Sequence, residues 1–255
     1  MKSKEPGSVQ HAQDIYDELV EAYRQGQTDV IPSTILATTI IDTWTHTGDV
    51  NAGDKAEAML LKQQQLFNDY KDESMRVNSH CYGATINAIA KSRQIGKAEK
   101  ARVLLYQMID AYKAGDRSLR PTVHACTAVI NACAYTLGEG NEKKKALDIA
   151  SSVFKIMPEY AQPNEFTYGT FLMACKNLIP KGAARDSAMC TIFRHCCSNG
   201  QVGGKVIEVI EKSLSKEQVE KLTKVQVKDG TIKLSDLPTD WSRNVDKTKL
   251  TRKKD

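Results

Sequence analysis

The chain has 255 residues, 41% of them hydrophobic, and its 36 Lys and Arg against 31 Asp and Glu give a formal charge of +5. That length and apolar content can bury a sizeable core in one elongated domain, and the small positive charge permits a nucleic-acid partner without demanding one. No stretch of about 18 apolar residues occurs, so no membrane partner is expected. The seven cysteines, odd in number and without CxxC spacing, read as small buried hydrophobes of a reducing compartment.

The start, Met1-Lys2-Ser3-Lys4-Glu5-Pro6-Gly7, is neither a signal peptide nor an Arg-rich transit sequence, and residues 1–9 are expected to be disordered. Residues 10–26 place Ala12, Ile15, Tyr16, Leu19 and Tyr23 on one helical face. This reads as the second helix of an incomplete repeat, so the chain is either a fragment or opens on an N-terminal cap. From residue 32 onward one pattern recurs every 42 to 45 residues, with Ser33, Asn78, Thr122 and Asn164 at equivalent positions. Behind each of them comes a helical face, at Ala37, Ile40, Ile41 and Trp44, then Tyr82, Thr85, Ile86 and Ile89. Cys126, Val129, Ile130 and Cys133 follow, and then Tyr168, Phe171, Leu172 and Cys175.

Every unit carries a second face, at Ala56, Met59 and Leu60; Ala101, Leu104, Leu105 and Met108; Ala150, Val153, Phe154 and Met157; and Met189, Ile192, Phe193 and Cys196. Turn residues such as Gly48-Asp49-Val50-Asn51 and Leu137-Gly138-Glu139-Gly140-Asn141 separate the two. One helix pair cannot bury two apolar faces, but stacked neighbours can. The predicted fold is therefore all-α, an α-solenoid of tandem helix-turn-helix repeats at 32–77, 78–121, 122–163 and 164–200. Ser33, Asn78, Thr122 and Asn164 fit N-caps of the first helices. After residue 204 the register fades: 204–223 is read as one C-terminal capping helix, and 224–255 as a polar tail in which Leu234, Leu237 and Trp241 dock. Its final Thr251-Arg252-Lys253-Lys254 is expected to be disordered.

The runs Pro163-Asn164-Glu165-Phe166-Thr167-Tyr168-Gly169-Thr170 and Lys97-Ala98-Glu99-Lys100-Ala101-Arg102-Val103-Leu104-Leu105-Tyr106-Gln107-Met108 resemble the two helices of a pentatricopeptide repeat. The resemblance spans roughly residues 10–200 and holds in register in all four units. Because the family's repeat is shorter than these units, the extra residues must sit in turns or lengthened helices. The resemblance implies binding of single-stranded RNA at about one base per repeat, and action on mitochondrial or plastid transcripts in their processing, stability or translation.

Two sets of residues follow from that resemblance. At the base-reading positions it implies Thr38 with Asn78, Gly83 with Thr122, Thr127 with Asn164, and Gly169 with a partner near Gly200 or Gln201. The Thr and Asn pairs resemble the combination that prefers adenine, while glycine has no side chain to read with, so the implied footprint is A-x-A. Ile35, His80, His124 and Phe166 occupy the position that wedges between bases, and three of the four are rings able to stack on a base. Lys91, Arg93, Lys97 and Lys176 are candidate phosphate contacts, whereas Lys143-Lys144-Lys145 reads more as a solvated face. The plainer reading makes Thr38 and Thr127 exposed helix residues, Asn78 and Asn164 only N-caps, and the rings cover for a neighbouring repeat.

Catalysis has little to rest on. No P-loop, GxSxG or HExxH motif occurs, and Cys126 and Cys133 fall on a buried face, which argues against a nucleophile. His195-Cys196-Cys197 with Cys190 suggests a metal cluster only until Cys196 is aligned with the core positions Met108 and Met157. No enzyme activity, metal, cofactor or small-molecule substrate is expected. The competing function is a protein-interaction scaffold holding a peptide or helix in the concave face, favoured by the two glycines and the low charge. A third is a specificity arm for a catalytic domain elsewhere.

Overall fold

The computed structural model describes residues 6–27, 29–227 and 231–246. Among them are eleven α-helices and no β-strand: α1 Pro6–Arg24, α2 Thr34–Trp44, α3 Ala52–Tyr70, α4 Ser79–Lys91, α5 Lys97–Lys113, α6 Val123–Ala134, α7 Asn141–Ile156, α8 Glu165–Leu178, α9 Ala183–Ser198, α10 Gly204–Glu211 and α11 Lys216–Thr223. Helix starts follow the polar caps. Ser33, Asn78, Thr122 and Asn164 are extended, and each side chain accepts a first-turn backbone N–H, from Leu36, Cys81, Ala125 and Thr167 respectively. Asn164 and Thr167 also form a reciprocal capping box. Each cap contributes about 1 kcal/mol.

The periodic apolar residues of α2, α4, α6 and α8 are buried, from Ala37 and Trp44 to Phe171 and Cys175. These helices lie side by side, α2 against α4, α4 against α6, α6 against α8 and α8 against α10. Between them pack the alternate helices: α3 on α2 and α4, α5 on α4 and α6, α7 on α6 and α8, and α9 on α8. The close approach of the row follows from small residues. Ala84 and Ala88 in α4 and Ala128 and Ala132 in α6 stand where α2 has Thr39 and Thr43, and all four alanines are buried. The second helices are long, 19 residues in α3 and 17 in α5, and a 3-10 turn follows each of these two.

Three expectations need correction. Helix α1 begins at Pro6, within the 1–9 stretch expected to be disordered, because Val9 belongs to the core at 2% exposure; residues 1–5 lie outside the described residues. The buried face of α1 is also rotated from the expected one. Val9, Tyr16 and Val20 are buried, whereas Ala12 and Ile15 are exposed and Leu19 is half-buried. The single capping helix at 204–223 is two helices, split where Ser215 starts α11 with a capping box to Gln218. Its first half, α10, is a fifth member of the row, with Gly203 at its N-cap.

The tail folds back. Leu237 is buried, Trp241 meets Phe193 edge-on at 5.8 Å between centroids, and the Val202 N–H donates to Trp241 O at 2.8 Å. Residues 247–255, including the stretch expected to be disordered at 251–254, lie outside the described residues.

The junctions between units use a motif not read from the sequence. Asp72-Glu73-Ser74-Met75-Arg76 and Asp116-Arg117-Ser118-Leu119-Arg120 share the form Asp-x-Ser-apolar-Arg. Each Asp accepts from the N–H and hydroxyl of its Ser, closing a 3-10 turn whose Met75 or Leu119 is buried. Each Arg then reaches into the next unit, Arg76 to Asp116 at 3.3 Å and Arg120 to Tyr160 O at 2.9 Å.

Gln63 is another hub. Fully buried, it donates to Pro32 O and Met75 O at 3.1 and 3.0 Å and accepts from the Tyr16 hydroxyl, tying α1, the approach to α2 and the approach to α4 onto α3. Gln63→Leu keeps the volume but takes its donor from Met75 O and leaves the buried Tyr16 hydroxyl and Pro32 O with only their 3.5 Å contact to each other. We expect it to lower the unfolding free energy by about 3 kcal/mol or more, read as a shift of the urea midpoint; a shift within error would disprove the hub.

Candidate nucleic-acid interface

Ile35, His80, His124 and Phe166 are each the second residue of a helix in the row α2, α4, α6, α8. The cap just before the helix and the side-by-side packing bring these equivalent positions to the same edge. All four are exposed, Ile35 to 77% and Phe166 to 44%. An isoleucine left so open gains nothing from the core, and the ring positions are likewise presented to solvent. Lys205, second in α10, extends the series.

In two of these helices the fifth residue, Gly83 of α4 and Gly169 of α8, lies against the second residue of the next helix of the row. A side chain added at Gly83 would lie 3.6 Å from His124 Cδ2, and one at Gly169 only 2.7 Å from Lys205 Cγ. A Cβ at Gly83 would thus make only ordinary contact with His124, whereas at Gly169 it would require the Lys205 side chain to move. The two threonines at this level are half-buried and already engaged. The Thr38 hydroxyl donates to Thr34 O at 2.7 Å. Thr127 Oγ1 bonds Thr167 Oγ1 at 2.8 Å.

Asn78, Thr122 and Asn164 are the N-caps described above, which commits their acceptor oxygens to α4, α6 and α8. The amide NH2 of each asparagine is then the group it can offer to a partner. Of the implied site residues, the structure thus brings the stacking set together as an exposed row and sets the base-reading set behind it.

The candidate phosphate contacts stand elsewhere. Lys91 and Arg93 are exposed but lie at the far end of α4, with Lys91 roughly 16 Å along the helix from His80. Lys176 is half-buried near the far end of α8. Lys97 does not face solvent at all: it is 4% exposed, and Nζ donates to Ala90 O and Ser92 O at 3.0 and 3.1 Å, capping the end of α4. Burial holds its ammonium below the usual lysine range. That corrects its assignment as a phosphate contact.

Among the described residues no three His, Cys, Asp or Glu side chains gather as a metal site. His195 Nδ1 instead bonds the Tyr168 hydroxyl at 3.1 Å, and Cys196 is buried. Burial raises the thiols of Cys126, Cys133 and Cys197 to about 12 and those of Cys81 and Cys175 to about 11. Such thiols are poor nucleophiles and metal ligands at neutral pH. No helix among the described residues is long and apolar enough to cross a membrane.

Comparison with models of known families, with curated proteins and with solved structures finds no match to this chain.

Proposed function

We propose that the chain is an α-solenoid of pentatricopeptide-type units that binds single-stranded RNA along the edge carrying Ile35, His80, His124 and Phe166. The observation that carries this reading is that row: four equivalent second helix positions, all exposed, three of them planar rings. Adjacent packed helices stand roughly 8–10 Å apart, well beyond the spacing of about 3.4 Å per nucleotide in a stacked strand. A strand laid across the row is therefore pulled open, and rings between the bases replace the stacking it loses.

Selectivity in this reading is weak. The hydroxyls of Thr38 and Thr127 already have partners within the protein and the asparagine caps keep only their NH2 groups, so any adenine preference is a small increment on stacking. The role is occupancy: a bound stretch of transcript is withheld from nucleases, from self-pairing or from the ribosome. Its setting in mitochondria or plastids comes from the family resemblance.

The test is fluorescence anisotropy with short poly-A, poly-U and mixed RNAs, single-stranded and duplex, at two salt concentrations. Salt-sensitive binding confined to single strands supports the proposal. No binding at low salt by a chain of intact helicity would overturn it. The exposed Ile35 and Leu36, at 77% and 40%, favour a second reading in which the same face holds a peptide, and that negative result would turn attention to it.

A further inference from the structure

Between the C-terminal half of α3 and the first two junctions lies an open cavity of about 340 Å³, within the size range of small-ligand sites. The buried Val77 and Leu119 line it, together with Phe67, Gln64, Asn68 and the Arg76–Asp116 pair.

The next interval of the array is furnished differently. Tyr112 of α5 stands where α3 has Phe67, by the same step that carries Ala56 to Ala101, and each ring lies against an arginine. Arg76 Cζ is 5.4 Å from the Phe67 ring centre, and Arg117 Cζ is 5.2 Å from that of Tyr112. Where Arg76 reaches Asp116, Arg120 reaches Tyr160 O, and the Tyr160 ring packs edge-on against Tyr112 with centroids 6.2 Å apart. Tyr160 is buried. A buried ring thus accompanies Tyr112, whereas among the described residues no ring meets Phe67, and the shorter Asp116 leaves space beside it.

The lining suits a flat group with polar edges. Phe67 and the Arg76 guanidinium supply planar faces. Arg76 donates through Nη1 to Glu73 and through Nη2 to Asp116, while its Nε is buried without a hydrogen bond. Gln64 gives its NH2 to the Tyr82 hydroxyl at 2.7 Å, which leaves its carbonyl oxygen as an acceptor. Asn68 is exposed, and its amide makes no hydrogen bond among the described residues. A wholly apolar occupant would strip water from these groups and return nothing. A phenylalanine or tyrosine ring offers them one polar atom at most, whereas a nucleobase carries donors and acceptors around its rim.

We propose that this cavity receives one base of the bound RNA strand, next to the base that stacks on His80. The inference rests on the RNA reading and extends it. Val77 precedes His80 by three residues, a chain distance of at most about 11 Å, so the cavity lies beside the row. Because Tyr160 accompanies the equivalent ring in the next interval, the row has one place that differs from its neighbours. A base held there fixes the register of the strand.

The test is fluorescence anisotropy of the full chain and of Asn68→Trp with a labelled five-nucleotide RNA, intact or with a single abasic nucleotide at each position in turn. Five nucleotides are too few to slide along the row without giving up a ring. Asn68→Trp, at an exposed position, puts a side chain into the cavity. It should weaken binding of the intact RNA about fivefold or more, the value of one stacked base, with the salt dependence unchanged because no phosphate contact is touched. One abasic position should weaken binding to the unmodified chain by a similar factor and cost nothing further in Asn68→Trp, while the positions that stack on the row stay costly in both. Phe67→Leu, which keeps the apolar wall but removes the flat face, should lose affinity in the same way, and urea midpoints check that each variant is folded. Equal affinity of Asn68→Trp and the unmodified chain would overturn the cavity and leave the ring row standing. So would a loss of affinity with every abasic position as costly as before. No binding of RNA to the unmodified chain at low salt would overturn both readings together.

Discussion

Replacing His80, His124 and Phe166 together with alanine is expected to weaken binding of single-stranded RNA by about a hundredfold or more. Stacking of a base on an aromatic side chain is worth about 1–3 kcal/mol by alanine substitution, so even the lower bound for three rings amounts to about 3 kcal/mol, a factor of more than a hundred. The side chains are exposed, so the fold should lose little, which a urea midpoint near that of the unmodified chain confirms. A companion variant, His80→Phe with His124→Phe, keeps planar faces and should bind at least as well as the unmodified chain. Unchanged affinity in the alanine variant would remove the rings from the interface, whatever else the chain binds.

The second large effect is alkaline unfolding. Cys81, Cys126, Cys133, Cys175 and Cys197 are buried thiols raised to about 11 or 12, and burial also raises Cys196, Tyr16 and Tyr168. The unfolded chain sheds thiol protons near pH 9 while the folded chain keeps them, so it binds fewer protons in that window and stability falls as pH rises. The stabilisation is complete below about pH 9 and disappears as pH climbs through 11 to 12. Each thiol removes about 1.4 kcal/mol per pH unit in between, and five acting together overtake the 5–15 kcal/mol typical of a folded domain within about two units. Urea midpoints at pH 8, 9 and 10, under reductant, should therefore fall steeply. Cys126→Ala with Cys133→Ala should make the fall shallower by about two thiols' share. A midpoint level from pH 8 to 10 would contradict the burial of these groups.

Much of the helical scaffold could be read in the residues themselves, because the signals are local. Apolar spacing marks the inner faces of α2 to α9, and Ser33, Asn78, Thr122 and Asn164 mark four helix starts by their own hydrogen-bonding capacity. The start of α10 at residue 204 was read from the sequence, but the break before α11 was not, although Ser215-Lys216-Glu217-Gln218 carries a readable capping box.

Long-range geometry was harder. Nothing local tells that Lys97 turns back onto the carbonyls that end α4, or that Thr127 meets Thr167 across 40 residues; both depend on how closely neighbouring helices approach. The Asp-x-Ser-apolar-Arg junctions were legible as a repeated string, but they fall outside the apolar periodicity that defines the units. At the candidate interface the exposed row at the second helix position follows from cap and period. The engagement of the hydroxyls behind it does not.

The two ends of this helical row are finished differently, and that difference gives the molecule a direction of unravelling. Beyond α9 the returning tail is bonded onto the end of α9 and the approach to α10: Val202 N–H to Trp241 O, Asn244 N–H to Gly200 O, Asn244 Nδ2 to Asn199 O, and Arg243 Nη2 to Ser198 O. The opposite edge ends on a helix with one apolar face open. When elements touch only their neighbours, opening spreads from whichever end is loosest. Amide exchange should therefore run as a gradient, fastest in α1 and slowing toward the strapped end. Mechanical tension applied along the chain would peel the helices in that same order, like a zipper with one end sewn shut.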